Sequence, residues 1–196
     1  LTIPVSALCC YPTDPGFVGA VTRSVTDAMA ALPGGAPFRV LFSAHGLPKK
    51  IVTAGDPYQW QVEQSTAAVV AALGREVDWV NCYQSRVGPL EWIGPATEDE
   101  ITRAGADGMN IILVPIAFVS EHSETLVELD IEYREIADQS GVTHYLRTPT
   151  VGIAPEFIDG LALLVHENIT AGCDVCSATG GRICSADWSK CPVLAA

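Results

Sequence analysis

The chain has 196 residues, about the length of one domain, and its 48% hydrophobic and 17% charged residues exclude global disorder. Its 11 Lys and Arg against 23 Asp and Glu give a net charge of −12, which argues against a nucleic-acid partner and favours cations. The longest apolar stretch, residues 110–118, is much shorter than the roughly 20 residues of a membrane span.

The predicted elements alternate along the chain. It opens with Leu1-Thr2-Ile3-Pro4, which lacks both a Met and a basic segment and is typical of a fragment or a processed chain rather than a signal peptide. Short, apolar, partly β-branched segments predict parallel strands, with helices between them. The strands are predicted at 38–44, 77–82, 110–118 and 142–147, and the helices at 14–32, 57–73, 97–104, 121–139 and 155–169.

This alternation predicts an α/β fold, a doubly wound Rossmann-like parallel sheet flanked by helices. Ligands of such sheets bind outside the carboxyl ends of the strands. We expect three parts: an N-terminal helical segment (1–35), the α/β domain (36–170) and a tail rich in Gly, Cys and Ser (171–196).

Two segments follow strand ends and so fall where a ligand would bind. His45 directly follows the first predicted strand and precedes Gly46, although a single histidine is more often a surface or core-edge residue. The loop 83–95 follows the second strand. In it Arg86 offers a partner for a carboxylate and Trp92 a flat stacking surface, whereas the alternative is a rigid loop with one buried Trp.

The helix predicted at 121–139 carries a row of glutamates. At 100° per residue, Leu126, Leu129, Tyr133 and Ile136 fall on the opposite side from this row. Such a row is often only a solvated face, but it has no Lys or Arg four residues away to offset the repulsion. Unpaired carboxylates beside a histidine favour a path for a divalent cation over a closed structural site. The row consists of Glu121, Glu124, Glu128, Glu132 and Glu135.

The seven cysteines are unevenly distributed, which favours a reducing, cytoplasmic compartment over a secreted disulfide scaffold. Three lie outside the tail, namely Cys9, Cys10 and Cys82. Four thiols within 173–191 predict thiolate ligation, by an iron–sulfur cluster or by structural zinc, and the second short knuckle typical of zinc sites is absent. These four are Cys173, Cys176, Cys184 and Cys191.

Four segments are similar to the ferrochelatase family: LFSAHGLP, GDPY, YQSRVGPLEWIGP and VPIAFVSEHSETLVELDIEY. The similarity covers roughly 40–169. It implies a lyase of haem biosynthesis that takes Fe²⁺ as a substrate, inserts it into protoporphyrin IX, releases two protons and uses no nucleotide. It also implies two similar Rossmann-like domains with the porphyrin between them. This chain would then be the C-terminal portion, and it could be inactive alone.

The resemblance also implies roles for individual residues. His45 and Glu124 would be catalytic, facing each other across a gap wide enough for the macrocycle, with exchangeable roles in accepting protons and delivering metal. His122, Glu128 and Glu132 would extend the metal path behind Glu124. Ser85, Arg86 and Trp92 would contact the macrocycle. Some family members carry a [2Fe-2S] cluster, which the four tail cysteines could hold, and one ligand can come from the N-terminal half.

Two other functions stay open from the sequence. One is a chelatase for another tetrapyrrole, such as coproporphyrin or sirohydrochlorin. The other is a non-catalytic iron–sulfur or metal-binding module, which would explain the tail but leaves His45 and the glutamate row without a purpose. Peripheral membrane contact is compatible with an apolar porphyrin substrate, although no basic amphipathic segment is present. The sequence does not set the oligomeric state.

Overall fold

The computed structural model describes residue 3 and residues 5–193, so the ends of two predicted parts, residues 1, 2 and 4 and residues 194–196, lie outside it. No helix in this described part is both long and apolar enough to cross a membrane. The elements are, in chain order, β1 (Ala7–Leu8), α1 (Pro15–Ala31), β2 (Phe38–His45), α2 (Lys49–Thr53), α3 (Tyr58–Ala72), β3 (Asp78–Gln84), α4 (Thr97–Ala106), β4 (Asn110–Pro115), a π-helix (Glu124–Glu132), α5 (Tyr133–Gln139), β5 (Tyr145–Arg147), α6 (Pro155–Ala171) and β6 (Val175–Cys176).

The main sheet has four parallel strands in the order β3-β2-β4-β5, which confirms the predicted α/β class. Its central strands are buried on both faces, because successive side chains of a strand point to opposite sides of the sheet. In β2, Val40 and Phe42 enter one hydrophobic cluster, whereas Leu41 between them enters the other. The near-continuous apolar runs in the sequence therefore reflect helices on both faces.

Helices cover each face of the sheet and complete two cores. Phe17 of α1, Val62 of α3 and Phe157 of α6 pack on one face. Ile101 of α4 and Leu129 of the π-helix pack on the other. Although α1 falls in the predicted N-terminal segment 1–35, it shares its core with the sheet.

Two strands are shorter than predicted. β4 ends at Pro115 rather than at residue 118, because the backbone turns there and the N–H of Phe118 donates to the carbonyl of Pro115. β5 begins at Tyr145 rather than at residue 142, because the N–H of Val142 closes the end of α5 on the carbonyl of Ala137. In both places, local turns use apolar residues that the pattern assigned to strands.

The helix predicted over 121–139 begins at Glu124, and its first nine residues form a π-helix. In a π-helix the hydrogen bonds run from i to i+5, so residues three apart no longer share a face. The expected placement of Leu126 with Leu129 is therefore wrong: Leu126 is 48% exposed, whereas Leu129 is fully buried.

A second, two-stranded parallel sheet joins the two ends of the described chain. β1 pairs with β6, and the ladder continues as the N–H of Cys9 donates to the carbonyl of Cys176. The N–H of Ala178 donates to the carbonyl of Cys10. This pairing, which was not predicted, brings the first two cysteines beside the tail.

Candidate active site

The candidate site lies at the carboxyl edge of the main sheet. His45 ends β2 and Gln84 ends β3, and the parallel register places these two residues opposite each other. The π-helix begins with Glu124, after the chain has left the end of β4. Three chain segments thus bring polar side chains to the edge where doubly wound sheets bind ligands.

His45 and Glu124 are in direct contact. The imidazole Nδ1 lies 3.1 Å from a carboxylate oxygen of Glu124, and the two side chains are 41% and 39% exposed. The expectation of a gap between them is therefore wrong for this structure, because the start of the π-helix brings the carboxylate over the end of β2. The two side chains face solvent together, as a combined imidazole and carboxylate.

Tyr58, at the start of α3, holds the backbone of His45. Its hydroxyl donates to the main-chain carbonyl of His45 at 3.0 Å. Burial, with a smaller contribution from the charge of Glu124, raises the pKa of Tyr58 to about 12. The phenol therefore keeps its proton at neutral pH and remains a donor to the backbone of His45.

His122 supports Glu124 through the backbone. Its ring Nδ1 accepts the main-chain N–H of Glu124 at 3.2 Å, so the neutral ring carries its proton on Nε2. The ring also packs on Phe118, with centroids 4.9 Å apart. The predicted role of His122 as a metal ligand stays a prediction, and in this structure its Nδ1 is already committed to the helix start.

Glu128 has both carboxylate oxygens engaged by protein donors. One oxygen accepts the N–H of Ser85 at 2.8 Å and the hydroxyl of Tyr133 at 3.0 Å. The other accepts the hydroxyl of Ser85 at 2.5 Å and the amide of Gln84 at 3.0 Å. Ser85 aims both of its donors at Glu128 by adopting a left-handed φ of 58°, a conformation that costs a non-glycine residue about 1–2 kcal/mol. Glu128 therefore ties the π-helix to the end of β3.

The glutamate row does not consist of unpaired carboxylates throughout. Glu121 pairs with Arg147 at 2.7 Å, and Arg147 also pairs with Asp130 of the π-helix. The expectation for Glu121 is therefore wrong, because its cation comes from β5, far away in sequence. Glu132, further along the row, is exposed.

The Glu121 pair makes stability depend on pH. Burial opposes ionisation of Glu121, but hydrogen bonds from Thr125, the N–H of Thr150 and Arg147 outweigh it and lower its pKa from the ordinary 4.5. Because the folded-state pKa is the lower one, the contribution is complete above pH 4.5 and is lost as the pH falls through the folded-state value.

We therefore expect Glu121→Gln to flatten the fall in the free energy of unfolding below about pH 4.5. The measurement is urea unfolding at a series of pH values. The exposed Glu135→Gln serves as the control and should keep the wild-type slope. An unchanged slope in Glu121→Gln would contradict the assignment.

The macrocycle loop predicted at 83–95 begins two residues later, at Ser85, because β3 continues through Gln84, and it packs against the end of β2. Arg86 is exposed and Trp92 half-buried. A Cβ at Gly46 would lie 3.2 Å from side-chain atoms of both residues, so the absence of a side chain there lets the loop approach. Their contact with a macrocycle stays a prediction. A cavity of about 200 Å³ has Tyr58 and Val119 in its lining.

The cysteines gather differently from the prediction. Cys173 and Cys176 form a disulfide, whereas the other two tail thiols lie close to each other and to the N-terminal pair. The Sγ atoms of Cys9 and Cys10 are 3.4 Å apart. Burial, the bond to Cys9 and the nearby charges of Cys9, Cys184 and Cys191 raise the pKa of Cys10. Within the described residues, no three His, Cys, Asp or Glu side chains converge as metal ligands.

The tail also contacts the start of α3. The side chain of Gln61 donates to Sγ of Cys184 at 3.4 Å. The N–H of Lys190 donates to the carbonyl of Gly55, where φ is +98° and a Cβ would collide with Ser189. The tail thus packs on the loop that leads into Tyr58.

Comparison with known sequences decides the family. The family profile described as Ferrochelatase matches residues 1–169. The chain belongs to the ferrochelatase family. It is 52% identical to the ferrochelatase of Caulobacter vibrioides (strain NA1000 / CB15N) over 93% of this chain and 53% of that one. It is 47% identical to the ferrochelatase of Pelagibacter ubique over 98% and 55%, and 49% identical to that of Rickettsia bellii (strain OSU 85-389) over 97% and 54%.

The chain spans about half the length of the curated ferrochelatases that it matches. Among solved structures, SirB from Bacillus subtilis with Fe³⁺ is similar, with a TM-score of 0.54 and 17% identity over 80% of this chain and 54% of that one. This likeness shows a shared fold, in keeping with the predicted chelatase-like architecture.

Sequence reasoning missed two side chains of the candidate site. The sequence pattern places Tyr58 in the GDPY segment and Gln84 in the loop predicted at 83–95, without assigning a role to either. A signal for each was present: Tyr58 follows Asp56, whose side chain accepts its N–H at 2.9 Å, and Gln84 ends an apolar strand. A polar residue at a strand end in this fold is a candidate for the site.

Proposed function

We propose that this chain forms the metal-inserting part of a ferrochelatase, which places Fe²⁺ in protoporphyrin IX, forms protohaem and releases two protons. The observation that carries the proposal is the 3.1 Å contact between His45 and Glu124 at the carboxyl edge of the sheet. Membership of the ferrochelatase family supports it. We assign the opposite wall of the porphyrin pocket to the part of the longer relatives that this chain does not match.

The chemistry of insertion matches this pair of groups. One Fe²⁺ replaces two pyrrole N–H protons, so the site needs proton acceptors beside a cation ligand. Imidazole side chains titrate near neutrality, carboxylates act as general bases, and both groups ligate divalent iron. Because His45 and Glu124 touch, we propose that they act from the same face of the macrocycle. Either one can receive a proton while the other holds the metal.

The remaining predicted metal ligands differ in how many hydrogen bonds their carboxylates already accept from the protein. Glu132 is exposed on the π-helix, and we propose that it is the outer carboxylate of an Fe²⁺ path. Glu128 would have to give up hydrogen bonds to bind metal, since each of its oxygens already accepts two. The net charge of −12 raises the local concentration of cations around such a path.

We propose that the porphyrin lies against the loop that follows β3. The exposed guanidinium of Arg86 suits a propionate carboxylate, and Trp92 offers a stacking face. The cavity beside Tyr58 is lined mainly by apolar side chains, which suits an apolar edge of protoporphyrin. Direct contact of Ser85 with substrate stays a prediction, because both of its donors bind Glu128.

We further propose that the tail holds a [2Fe-2S] cluster. The donor chemistry fits, because every candidate ligand is a thiol, and the charges of Cys184 and Cys191 act on the thiol of Cys10. Thiol–disulfide exchange with a cytoplasmic dithiol, which is oxidised to its own disulfide, would release Cys173 and Cys176 as two thiolates. A cluster there would supply a covalent link between the tail and the N-terminal strand. Five free thiols also suit a reducing compartment, and we place the protein in the cytoplasm.

Metal analysis of protein purified without oxygen tests the cluster. We expect about two iron atoms per chain and visible absorption, with both lost in Cys184→Ser. The buried Cys82→Ser, on the main sheet, serves as the matched control and should keep the iron. One zinc atom per chain in place of iron would support a structural zinc site, and protein without metal would contradict both.

The choice of tetrapyrrole tests the proposed function itself. The full reading frame that encodes this chain is expressed and given Fe²⁺ without oxygen. Metal insertion is followed by the loss of porphyrin fluorescence with protoporphyrin IX, coproporphyrin III or sirohydrochlorin. We expect the highest kcat/KM with protoporphyrin IX. Preference for another tetrapyrrole would establish that chelatase instead, and no insertion into any of them would overturn the proposal.

A further inference from the structure

Gln84 connects the strand ends of the candidate site to the π-helix that carries Glu124. It is fully buried, it ends β3, and its partner in the parallel register is His45. We propose that Gln84 is a positioning residue, which sets the distance at which Glu124 meets His45. This inference rests on the proposed function, since it assigns a role within the metal-inserting site.

The orientation of the Gln84 amide is fixed by two buried hydroxyls. The Ser43 hydroxyl donates to Oε1 of Gln84 at 2.9 Å. Thr97 lies 2.9 Å from the same hydroxyl oxygen and donates to it, since the Ser43 hydrogen is already used. All three side chains are buried, so no water competes for these bonds. The amide oxygen therefore points into the domain, and the NH₂ group points towards the π-helix.

Both hydrogens of the amide are used on the first turn of the π-helix. Nε2 donates to the main-chain carbonyl of Glu124 at 3.2 Å and to the carboxylate of Glu128 at 3.0 Å. The first bond holds the backbone of the residue whose carboxylate touches His45. The second bond holds Glu128, four residues further along the π-helix, whose carboxylate ties this helix to the end of β3. Gln84 therefore fixes the height of the helix start above the sheet.

The strand pairing fixes the positions of His45 and Gln84 relative to each other, and both residues contact Glu124. Seven consecutive residue pairs join β2 to β3, and the last of them is His45 with Gln84. His45 touches the Glu124 carboxylate from the end of β2, while Gln84 touches the Glu124 carbonyl from the end of β3. The same residue is thus held at two points by neighbouring positions of one rigid sheet.

Gln84 acts through Glu124 and not on the substrate. Its amide is neutral, has no exposed surface and has all its hydrogen-bonding groups occupied. Reactions that depend on geometry lose about 10²-fold in rate for a displacement of about 1 Å. Removal of the amide should therefore lower kcat and leave KM for the porphyrin almost unchanged.

The test compares variants of the full-length protein in the metal-insertion assay. Gln84→Met keeps the length of the side chain but removes the amide, and we expect kcat to fall about 10–100-fold with KM within about twofold. Ser43→Ala keeps Gln84 but removes the hydroxyl that orients it, so it should give a smaller loss of kcat in the same direction. This milder variant keeps the test informative if Gln84→Met does not fold.

Thr66→Val is the matched control. Thr66 is also fully buried and also hydrogen-bonds a β3 side chain, Asn81, but it lies on α3 away from the site. It should lower stability and leave kcat unchanged. If Gln84→Met and Ser43→Ala lose kcat no more than Thr66→Val at equal loss of stability, Gln84 is only structural and the inference is overturned.

A crystal structure separates this inference from the proposed function. In Gln84→Met or Ser43→Ala we expect the distance from Nδ1 of His45 to the Glu124 carboxylate to exceed the 3.1 Å of the wild type and leave hydrogen-bonding range. An unchanged distance overturns the inference even if the protein inserts metal. A lengthened distance in a protein whose wild type inserts no metal supports the positioning role while refuting the proposed function.

Discussion

His45→Ala and Glu124→Gln are each expected to lower kcat for iron insertion by about 10²–10⁴-fold, the range for the loss of a general acid or base. Each variant removes one member of the imidazole and carboxylate pair that we assign to the pyrrole protons and the metal. Both side chains are about two-fifths exposed, so neither substitution leaves a cavity in the core. The measurement is the initial rate of fluorescence loss from protoporphyrin IX with Fe²⁺ in the absence of oxygen.

The double variant tests whether the two residues act as a unit. If they do, the variant that combines His45→Ala with Glu124→Gln should be only slightly less active than the less active of the two single variants. The losses of groups that act together are not additive. Lys49→Gln, which removes only an exposed ion pair with Glu91, should keep wild-type activity. Near-normal activity of either single variant would remove that residue from the chemistry.

Glu128→Ala is expected to lower the free energy of unfolding by about 3 kcal/mol or more. It leaves donors of the buried Gln84 and Tyr133, and of the half-buried Ser85, without their acceptor, and each unpaired group that is buried costs about 1–3 kcal/mol. The left-handed backbone of Ser85 also loses the two bonds that offset its strain. Urea unfolding followed by circular dichroism measures the change.

Glu132→Gln is the matched control for this prediction. It changes an exposed glutamate on the same π-helix and should alter stability by no more than about 0.5 kcal/mol. Equal stability of Glu128→Ala and Glu132→Gln would show that Glu128 is not an anchor. The four donors would then have found other partners, and Glu128 would be free to bind metal as the sequence predicted.

The fold could be predicted because its pattern is local and repeated. Short apolar strands alternate with helices from Phe38 to Ala171, and in this pattern parallel pairing follows from the length of each connection. The position of the two cores, one on each face of the sheet, could be predicted without predicting individual contacts. Any strand that is apolar on successive residues, such as 40–42, must be covered on both faces.

The site was predicted less completely, because its contacts join residues far apart in the chain. His45 and Glu124 stood out as polar residues beyond strand ends, but their separation depends on how the helix starts. A periodicity of 100° per residue assumes an α-helix and cannot reveal a π-helix. The pairing of Glu121 with Arg147 and the approach of Cys10 to the tail depend on tertiary contacts that no local pattern encodes.

The most direct test of the His45 and Glu124 assignment is anomalous diffraction from crystals soaked in Co²⁺, a divalent substitute for Fe²⁺, without oxygen. We predict a peak at about 2.0–2.2 Å from both an imidazole nitrogen of His45 and a carboxylate oxygen of Glu124, and loss of that peak in Glu124→Gln. The contrary result would be Co²⁺ bound elsewhere, with this pair unoccupied, in protein that inserts Co²⁺ into porphyrin at the normal rate.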